Sequence, residues 1–325
     1  MNKPHLAVVI PCYNVARHIE DVVASVPAQV RTIVAVDDAS TDGTAAALVR
    51  CRDVRLVVLT QALNGGVGSA MLAGYREALA RGADICVKVD GDGQMDLSRL
   101  LDLVAPVVSG ESDFAKGNRF RDVDALAAMP RIRLLGNGVL SFLTKLVSGY
   151  WSVFDPTNGY TAISADMLRR MDQTRIAPRY FFETSVLIEL NIQGAVVQDV
   201  EMAARYGDER SQLSVGRVAA TFPFLLMRGL WRRFFWRYMI RDFTAVTVCA
   251  LAGVPALLFG VTFGAFHWWR SVSTAQPATA GTVLVAALPV ILGFQCLLTA
   301  FVLDIVQQPA RPLRAARRID VLASD

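Results

Sequence analysis

The sequence predicts an α/β protein: a mostly parallel sheet with crossover helices comes first, followed by interfacial amphipathic helices and two transmembrane helices. Three observations carry this. Short β-branched runs alternate with helix-periodic stretches from Leu6 to Val89, the pattern of successive βαβ units. Hydrophobic residues make up 53% of the 325, yet the stretch from Phe243 to Leu303 is nearly free of charge, which separates a soluble head from a membrane tail. Between the two, arginines and large aromatics interleave in segments suited to the headgroup layer of a bilayer.

Taken in order, Leu6–Ile10 reads as a strand, Ala16–Ser25 as a helix, Thr32–Val36 as a strand, Thr41–Cys51 as a helix and Val54–Leu59 as a strand. Val67–Ala80 follows as a helix, Ile85–Val89 as a strand, Leu97–Ser109 as a helix and Asp113–Lys116 as a short strand. The loops Pro11–Asn14, Asp37–Asp42, Asn64–Gly68 and Asp90–Gln94 each follow a strand end, the edge where open α/β sheets bind ligands. Arg131–Gly149 and Gly216–Arg241 are basic and amphipathic, the second carrying Trp231, Phe234, Phe235 and Trp236 among its arginines. An interfacial location is the preferred reading of both, and a capping helix packed on the core is the other.

Two segments meet the spanning criterion. Phe243–Trp269 runs for about 27 residues without an acid, Lys or Arg, and Gly281–Leu303 for about 23, against about 20 needed to cross. Arg232, Arg233, Arg237 and Arg241 precede the first span and Arg311, Arg314, Arg317 and Arg318 follow the second, whereas the link has only Arg270. The positive-inside rule then puts both ends, and the head, on the cytoplasmic side of the inner membrane. The expected organisation is a head over residues 1–215, an interfacial segment over 216–242, a transmembrane hairpin over 243–303 and a basic cytoplasmic tail over 304–325. Paired spans also permit self-association.

The net charge of +4 comes from basic residues clustered around the apolar C-terminal segments, which argues against nucleic-acid binding. Cys12, Cys51, Cys86, Cys249 and Cys296 are scattered, with no CxxC pair, and read as reduced thiols. Residues Met1 to His5 show no signal-peptide pattern, in keeping with a cytoplasmic head.

The strongest chemical signal is Asp90-Gly91-Asp92, directly after the apolar strand ending at Val89. Two carboxylates at that spacing can place hard oxygen ligands on one Mg²⁺ or Mn²⁺ that also grips a diphosphate, and the metal then acts as Lewis acid and template. A solvated turn is the bland alternative. Upstream, Pro11-Cys12-Tyr13-Asn14 offers backbone groups and an aromatic face to a base, and Asp37 or Asp38 can accept from a base imide or a ribose hydroxyl. Asp42 reads as a cap of the helix beginning near Thr41. Asn64-Gly65-Gly66-Val67-Gly68 lacks both the third glycine of a dinucleotide fingerprint and a Gly-Lys-Ser/Thr. It reads as a tight turn at which Gly65 and Gly66 let the backbone approach a diphosphate or sugar.

In this order the motifs resemble glycosyltransferase family 2, the GT-A fold, and within it the polyprenyl-phosphate sugar transferases such as the dolichyl-phosphate mannose synthases. The likeness covers about residues 5–215. It implies that Pro11, Tyr13, Asn14 and Asp38 hold the nucleoside and that Asp90, Asp92 and Gln94 hold the metal diphosphate. Lys116–Phe120 is similar to the family's Gly-Ser-Arg-Tyr, which implies Arg119 near phosphate. Arg133 lies where the family has a basic residue facing the acceptor phosphate. Asp155–Tyr160 and Phe182-Glu183 resemble segments of the sugar and acceptor pocket, and Tyr206–Ser211 sits where a mobile loop closes over the donor. Val15 replaces an acid common after Tyr-Asn, and no Gln-x-x-Arg-Trp of processive synthases is present.

The expected activity is inverting transfer of a hexose from a UDP- or GDP-linked donor to a membrane acceptor, polyprenyl phosphate first. Arg119, Arg133 and Arg205 would position the phosphate. A lipid-linked saccharide hydroxyl is the alternative acceptor and would need Asp155 or Glu183 as base. A non-catalytic scaffold of the same fold and a nucleotide-dependent oxidoreductase are the rival classes. The intact Asp90 and Asp92 count against the former and the missing third glycine against the latter.

Overall fold

A computed structural model of the chain describes residues 3–118, 131–155, 158–202 and 215–313, with the backbone alone at 131–135, 137 and 215–220. The chain forms two compact units, Met1–Arg233 with Pro309–Asp325, and Phe234–Gln308.

The first unit is built on β1 (Leu6–Cys12), α1 (Ile19–Ala24), β2 (Val30–Asp37), α2 (Thr44–Arg50), β3 (Leu56–Thr60), α3 (Val67–Ala80) and β4 (Ile85–Lys88). Then come α4 (Leu100–Ser109), β5 (Phe114–Asn118), α5 (Arg131–Ser148), β6 (Thr161–Ser164), α6 (Ala165–Arg170), α7 (Phe182–Gln193), β7 (Val197–Glu201) and α8 (Val215–Arg233). The sheet has seven strands in the order β3-β2-β1-β4-β6-β5-β7. All neighbours are parallel except β6, which runs antiparallel to both β4 and β5. Side chains of β1 alternate between two buried faces. Val8, Ile10 and Cys12 face a core with Val22, Leu48 and Leu103, and Ala7 and Val9 face one with Met71, Tyr75 and Leu187. A strand covered on both faces must read as an apolar run. Cys12 is in register with Asp37, and Val9 with Lys88, so the chemistry-bearing ends of β1, β2 and β4 share one edge.

Two helices start later than the sequence suggests: α1 at Ile19 and α2 at Thr44. Asp42 therefore closes the turn before α2. Its oxygens accept from Thr44 N and Oγ1 and from Ala16 N, while Gly43 holds the cap position. The segment read as one interfacial helix to Arg241 divides at Arg233. Helix α8 packs on the head through Phe222, Leu226 and Leu230 against Val147, Phe181 and Ile188, and Arg232 pairs with the buried Glu189. Its other face leaves Phe224, Met227 and Trp231 exposed. One side of α8 thus caps the core and the other side is apolar and uncovered. The compact unit accordingly runs to Arg233, past the expected boundary at 215.

The second unit holds a π-helical segment Phe234–Arg241, α9 (Ala245–Thr274) and α10 (Ala280–Val306). Both long helices meet the length and composition needed to cross a membrane, with mean hydropathy 2.1 and 2.3 and only 22% and 11% of their apolar windows buried. Core helices of a soluble protein would be mostly covered. The two helices approach closely at small residues: a Cβ on Gly253 would come within 2.9 Å of Gly293 O, the packing used where lipid gives no hydrophobic drive. Tyr238 Oη donates to the buried Asp304 at the end of α10. The five cysteines are all free thiols.

Candidate active site

At the C-terminal edge of the sheet lies a cleft of about 810 Å³, lined by Pro11, Tyr13, Asn14, Asp38, Gly66, Asp90, Asp92 and Gln94 together with Val15, Asn64, Arg179 and Tyr180. Eight residues singled out from the sequence as ligand-binding therefore meet in one space. Asn14 takes a left-handed conformation (φ 56°), which an Asn tolerates better than most side chains. Its Oδ1 accepts from Thr41 N at 2.8 Å and its N donates to Ser40 Oγ at 3.1 Å, tying the loops after β1 and β2 together. Tyr13 stands 42% exposed beside them, a free aromatic face.

Asp37 and Asp38 are both buried, with different duties. Asp37 Oδ1 accepts from Ser40 N at 3.0 Å and the residue does not line the cleft, so its carboxylate holds the turn. Asp38 lines the cleft and accepts from Gly65 N at 2.8 Å on Oδ1 and from Gly66 N at 2.7 Å on Oδ2. The amides of Gly65 and Gly66 are thereby turned toward a carboxylate of the protein. Gly66 itself, at φ +89°, lines the cleft; Gly65 does not.

Below Asp90 the structure brings together residues the sequence reading did not single out. Lys88 and Lys116 both pair across the sheet with Thr161 of β6, so the two side chains stand in one row on one face. Both are fully buried. Lys88 Nζ lies 2.5 Å from Asp90 Oδ1 and 3.5 Å from Glu183 Oε1. Burial pushes its ammonium down, but Asp90 and Glu183 outweigh this and hold it above the ordinary lysine value. Lys116 Nζ donates to Asn158 O. Burial dominates there and brings it to about 8 despite the pull of Asp155 and Glu183. Gly159 sits against this cluster: a Cβ there would fall 2.6 Å from Asp90 Oδ2 and closer still to Lys88 Nζ. A usable signal existed, since a lysine inside an apolar strand (Ile-Cys-Val-Lys) is rarely buried without a counter-charge.

Asp92 Oδ1 accepts from Gln94 N at 3.0 Å, which folds the Asp90–Gln94 turn. With Asp90 Oδ1 taken by Lys88, the oxygens of this turn that could hold a cation are Asp90 Oδ2, the Asp92 carboxylate and the Gln94 amide. Glu183 lies at the start of α7, 21% exposed, and Asp155 is fully buried. Neither lines the cleft. Arg119, Arg205 and the Tyr206–Ser211 loop lie outside the described residues, as does the side chain of Arg133, whose backbone is in α5.

A mostly parallel sheet with a cleft and an acidic turn at its carboxyl edge is the arrangement with which open α/β proteins bind ligands. The family model for glycosyl transferase family 2 matches residues 7–172, half of the chain, and the protein belongs to that family. Among relatives, a UDP-N-acetylglucosamine–dolichyl-phosphate N-acetylglucosaminyltransferase of Methanococcus voltae is 28% identical over 187 residues, covering 53% of this chain and 74% of its own. The polyprenol monophosphomannose synthase of Mycolicibacterium smegmatis is 32% identical over 178 residues, covering 52% and 65%. The fold is shared with glucosyl-3-phosphoglycerate synthase from Mycobacterium tuberculosis in complex with Mn²⁺, UDP-glucose and phosphoglyceric acid, at TM-score 0.51 and 20% identity over 71% of this chain and 79% of that one.

Proposed function

We propose that this glycosyltransferase moves a hexose from a UDP- or GDP-linked donor to a polyprenyl phosphate at the inner face of the cytoplasmic membrane. One observation carries the reading: a nucleotide-sized cleft joins Tyr13, Asn14 and Asp38 to Asp90, Asp92 and Gln94 in a chain that also has two helices of spanning length. One relative's name gives dolichyl phosphate as its acceptor and the other's gives polyprenol monophosphomannose as what it makes. Basic residues flank both spans on one side, in keeping with a cytoplasmic head.

The oxygens of Asp90, Asp92 and Gln94 suit Mg²⁺ or Mn²⁺. Among the described residues no group of three His, Cys, Asp or Glu could hold a metal. A hard cation of this kind completes its shell with water and substrate phosphates. Such an ion, when bound, neutralises charge on the leaving diphosphate. The protein's own part is positional. Tyr13 and Asn14 seat the base and ribose, Asp38 fixes the loop beside them, and Lys88 holds Asp90 in place. A phosphate oxygen of the acceptor attacks the anomeric carbon as the bond from that carbon to the diphosphate oxygen breaks, with inversion.

A phosphate is already anionic, so the step requires no base. This favours lipid phosphate over a saccharide hydroxyl, because Glu183 is paired with Lys88 and Asp155 is fully buried away from the cleft. The test is thermal unfolding of the detergent-solubilised chain with UDP, GDP or NADH, each with and without Mn²⁺. Ligand at about 100 Kd stabilises by about 2.7 kcal/mol. Stabilisation by a nucleoside diphosphate only when metal is present is expected; stabilisation by NADH alone would reject the reading.

A further inference from the structure

Phosphate-binding loops work by leaving backbone N–H groups free to point at the anion. The loop after β3 has the composition for this, yet four of its donors are spent inside the protein. Gly65 N and Gly66 N donate to Asp38, and Gly68 N and Ser69 N both donate to Pro178 O, at 2.8 and 3.2 Å. The donor cleft is also acidic, since Asp38, Asp90 and Asp92 all line it. A diphosphate entering there meets carboxylates.

Among the described lining residues, Arg179 is the one cationic side chain, and the same loop holds it. Its Nη2 donates to Asn64 O at 2.9 Å and its Nη1 to Asn64 Oδ1 at 3.3 Å. A guanidinium carries five N–H donors, so others remain for a ligand. The stem of Arg179 lies against Gly66: a Cβ on that glycine would come within 2.6 Å of Arg179 Cγ and 2.7 Å of Pro178 O. The segment is pinned on its other side too, because Phe182 N donates to Arg179 O at 2.8 Å and Ala177 N to Ser185 Oγ at 2.9 Å. An exposed arginine held this way loses little freedom on meeting an anion.

We propose that Arg179 binds a phosphate group in the donor cleft, and that Asn64–Ser69 seats this arginine rather than cradling phosphate through its own amides. The assignment deepens the nucleotide-sugar reading and rests on it. The phosphate belongs either to the donor diphosphate or to the acceptor lipid, and binding measurements separate the two.

The experiment uses the full chain in detergent with Arg179→Gln and Arg179→Lys. Dissociation constants are measured for UDP and GDP with Mn²⁺ and for uridine and guanosine, and KM is measured for polyprenyl phosphate. Loss of a charge-assisted contact predicts that R179Q weakens the diphosphate about tenfold or more, leaves the matching nucleoside unchanged, and is partly restored in R179K. The same loss in KM for polyprenyl phosphate, with diphosphate binding kept, supports the contact and gives it to the acceptor. If R179Q binds diphosphate and lipid phosphate like the wild type, or loses nucleoside and diphosphate equally, the assignment is overturned. A wild type that binds neither UDP nor GDP overturns the donor reading beneath it, a result distinct from a silent R179Q.

Discussion

Replacing Gly159 with alanine adds one methyl group beside Asp90 and Lys88. Gly159 is not among the residues of positive φ, so the backbone is indifferent to the change and the effect is steric. The new Cβ would lie 2.6 Å from Asp90 Oδ2 and nearer still to Lys88 Nζ, whereas non-bonded heavy atoms settle about 3.5 Å apart. Lys88 is buried on β4 between β1 and β6, and its ammonium and the Asp90 carboxylate must each retreat by roughly 1 Å. The atoms in the way are side-chain ends, and the fold gives way there at the low end of the about 1–3 kcal/mol that overpacking costs. Catalysis is less forgiving: misplacing a positioning group by about 1 Å costs on the order of 100-fold in rate. The assay is initial-rate transfer across a Mn²⁺ series, run beside thermal unfolding of the same preparation. A folded variant with turnover at least about 100-fold down is expected. Wild-type turnover in a folded G159A would refute the placement of Asp90 and Lys88 at the reacting centre.

Asp92→Asn keeps the turn's acceptor for Gln94 N and removes the charge; transfer should vanish while the melting temperature stays within a degree or two, and wild-type rates in saturating metal would contradict it. Asp38→Asn leaves one acceptor oxygen for two glycine amides, and should cost about 1–2 kcal/mol of stability and raise KM for the donor, read by denaturant titration and initial rates. Lys116, brought to about 8 by burial, binds its proton more weakly folded than unfolded. Between pH 8 and 10.5 the unfolded chain therefore holds more protons and stability rises with pH. Lys116→Met should remove that part of the rise, on the order of 3 kcal/mol, and equal slopes in variant and wild type would count against it.

Much of the cleft-bearing edge was legible because both faces of the sheet are covered. β1, β2 and β4 are apolar runs, and polar residues such as Asn14, Asp38 and Asp90 stand out directly after them. Helix α3 follows the sequence reading at both ends. Two strands escaped for physical reasons. β6 is a four-residue strand whose antiparallel insertion between β4 and β5 is a non-local pairing, and β7 alternates too weakly, as Val-Gln-Asp-Val-Glu, to stand out. The contact of Lys88 with Glu183 joins residues almost a hundred positions apart. The partners of the glycine-rich turn could not be read from spacing, because the acceptor for Gly68 and Ser69, Pro178 O, also arrives from a distant segment. Spacing reveals which groups are near a strand end, while the partners of each N–H depend on long-range packing.

The most direct measurement supplies membranes containing the chain with labelled UDP- and GDP-sugars and polyprenyl phosphate, then extracts the lipid and counts label with Mn²⁺ or with EDTA. Label should enter the lipid fraction from one donor, require both the metal and the lipid phosphate, and be absent for Asp92→Asn. Equal labelling in EDTA, or label appearing only in a saccharide fraction, would contradict metal-dependent transfer to a lipid phosphate.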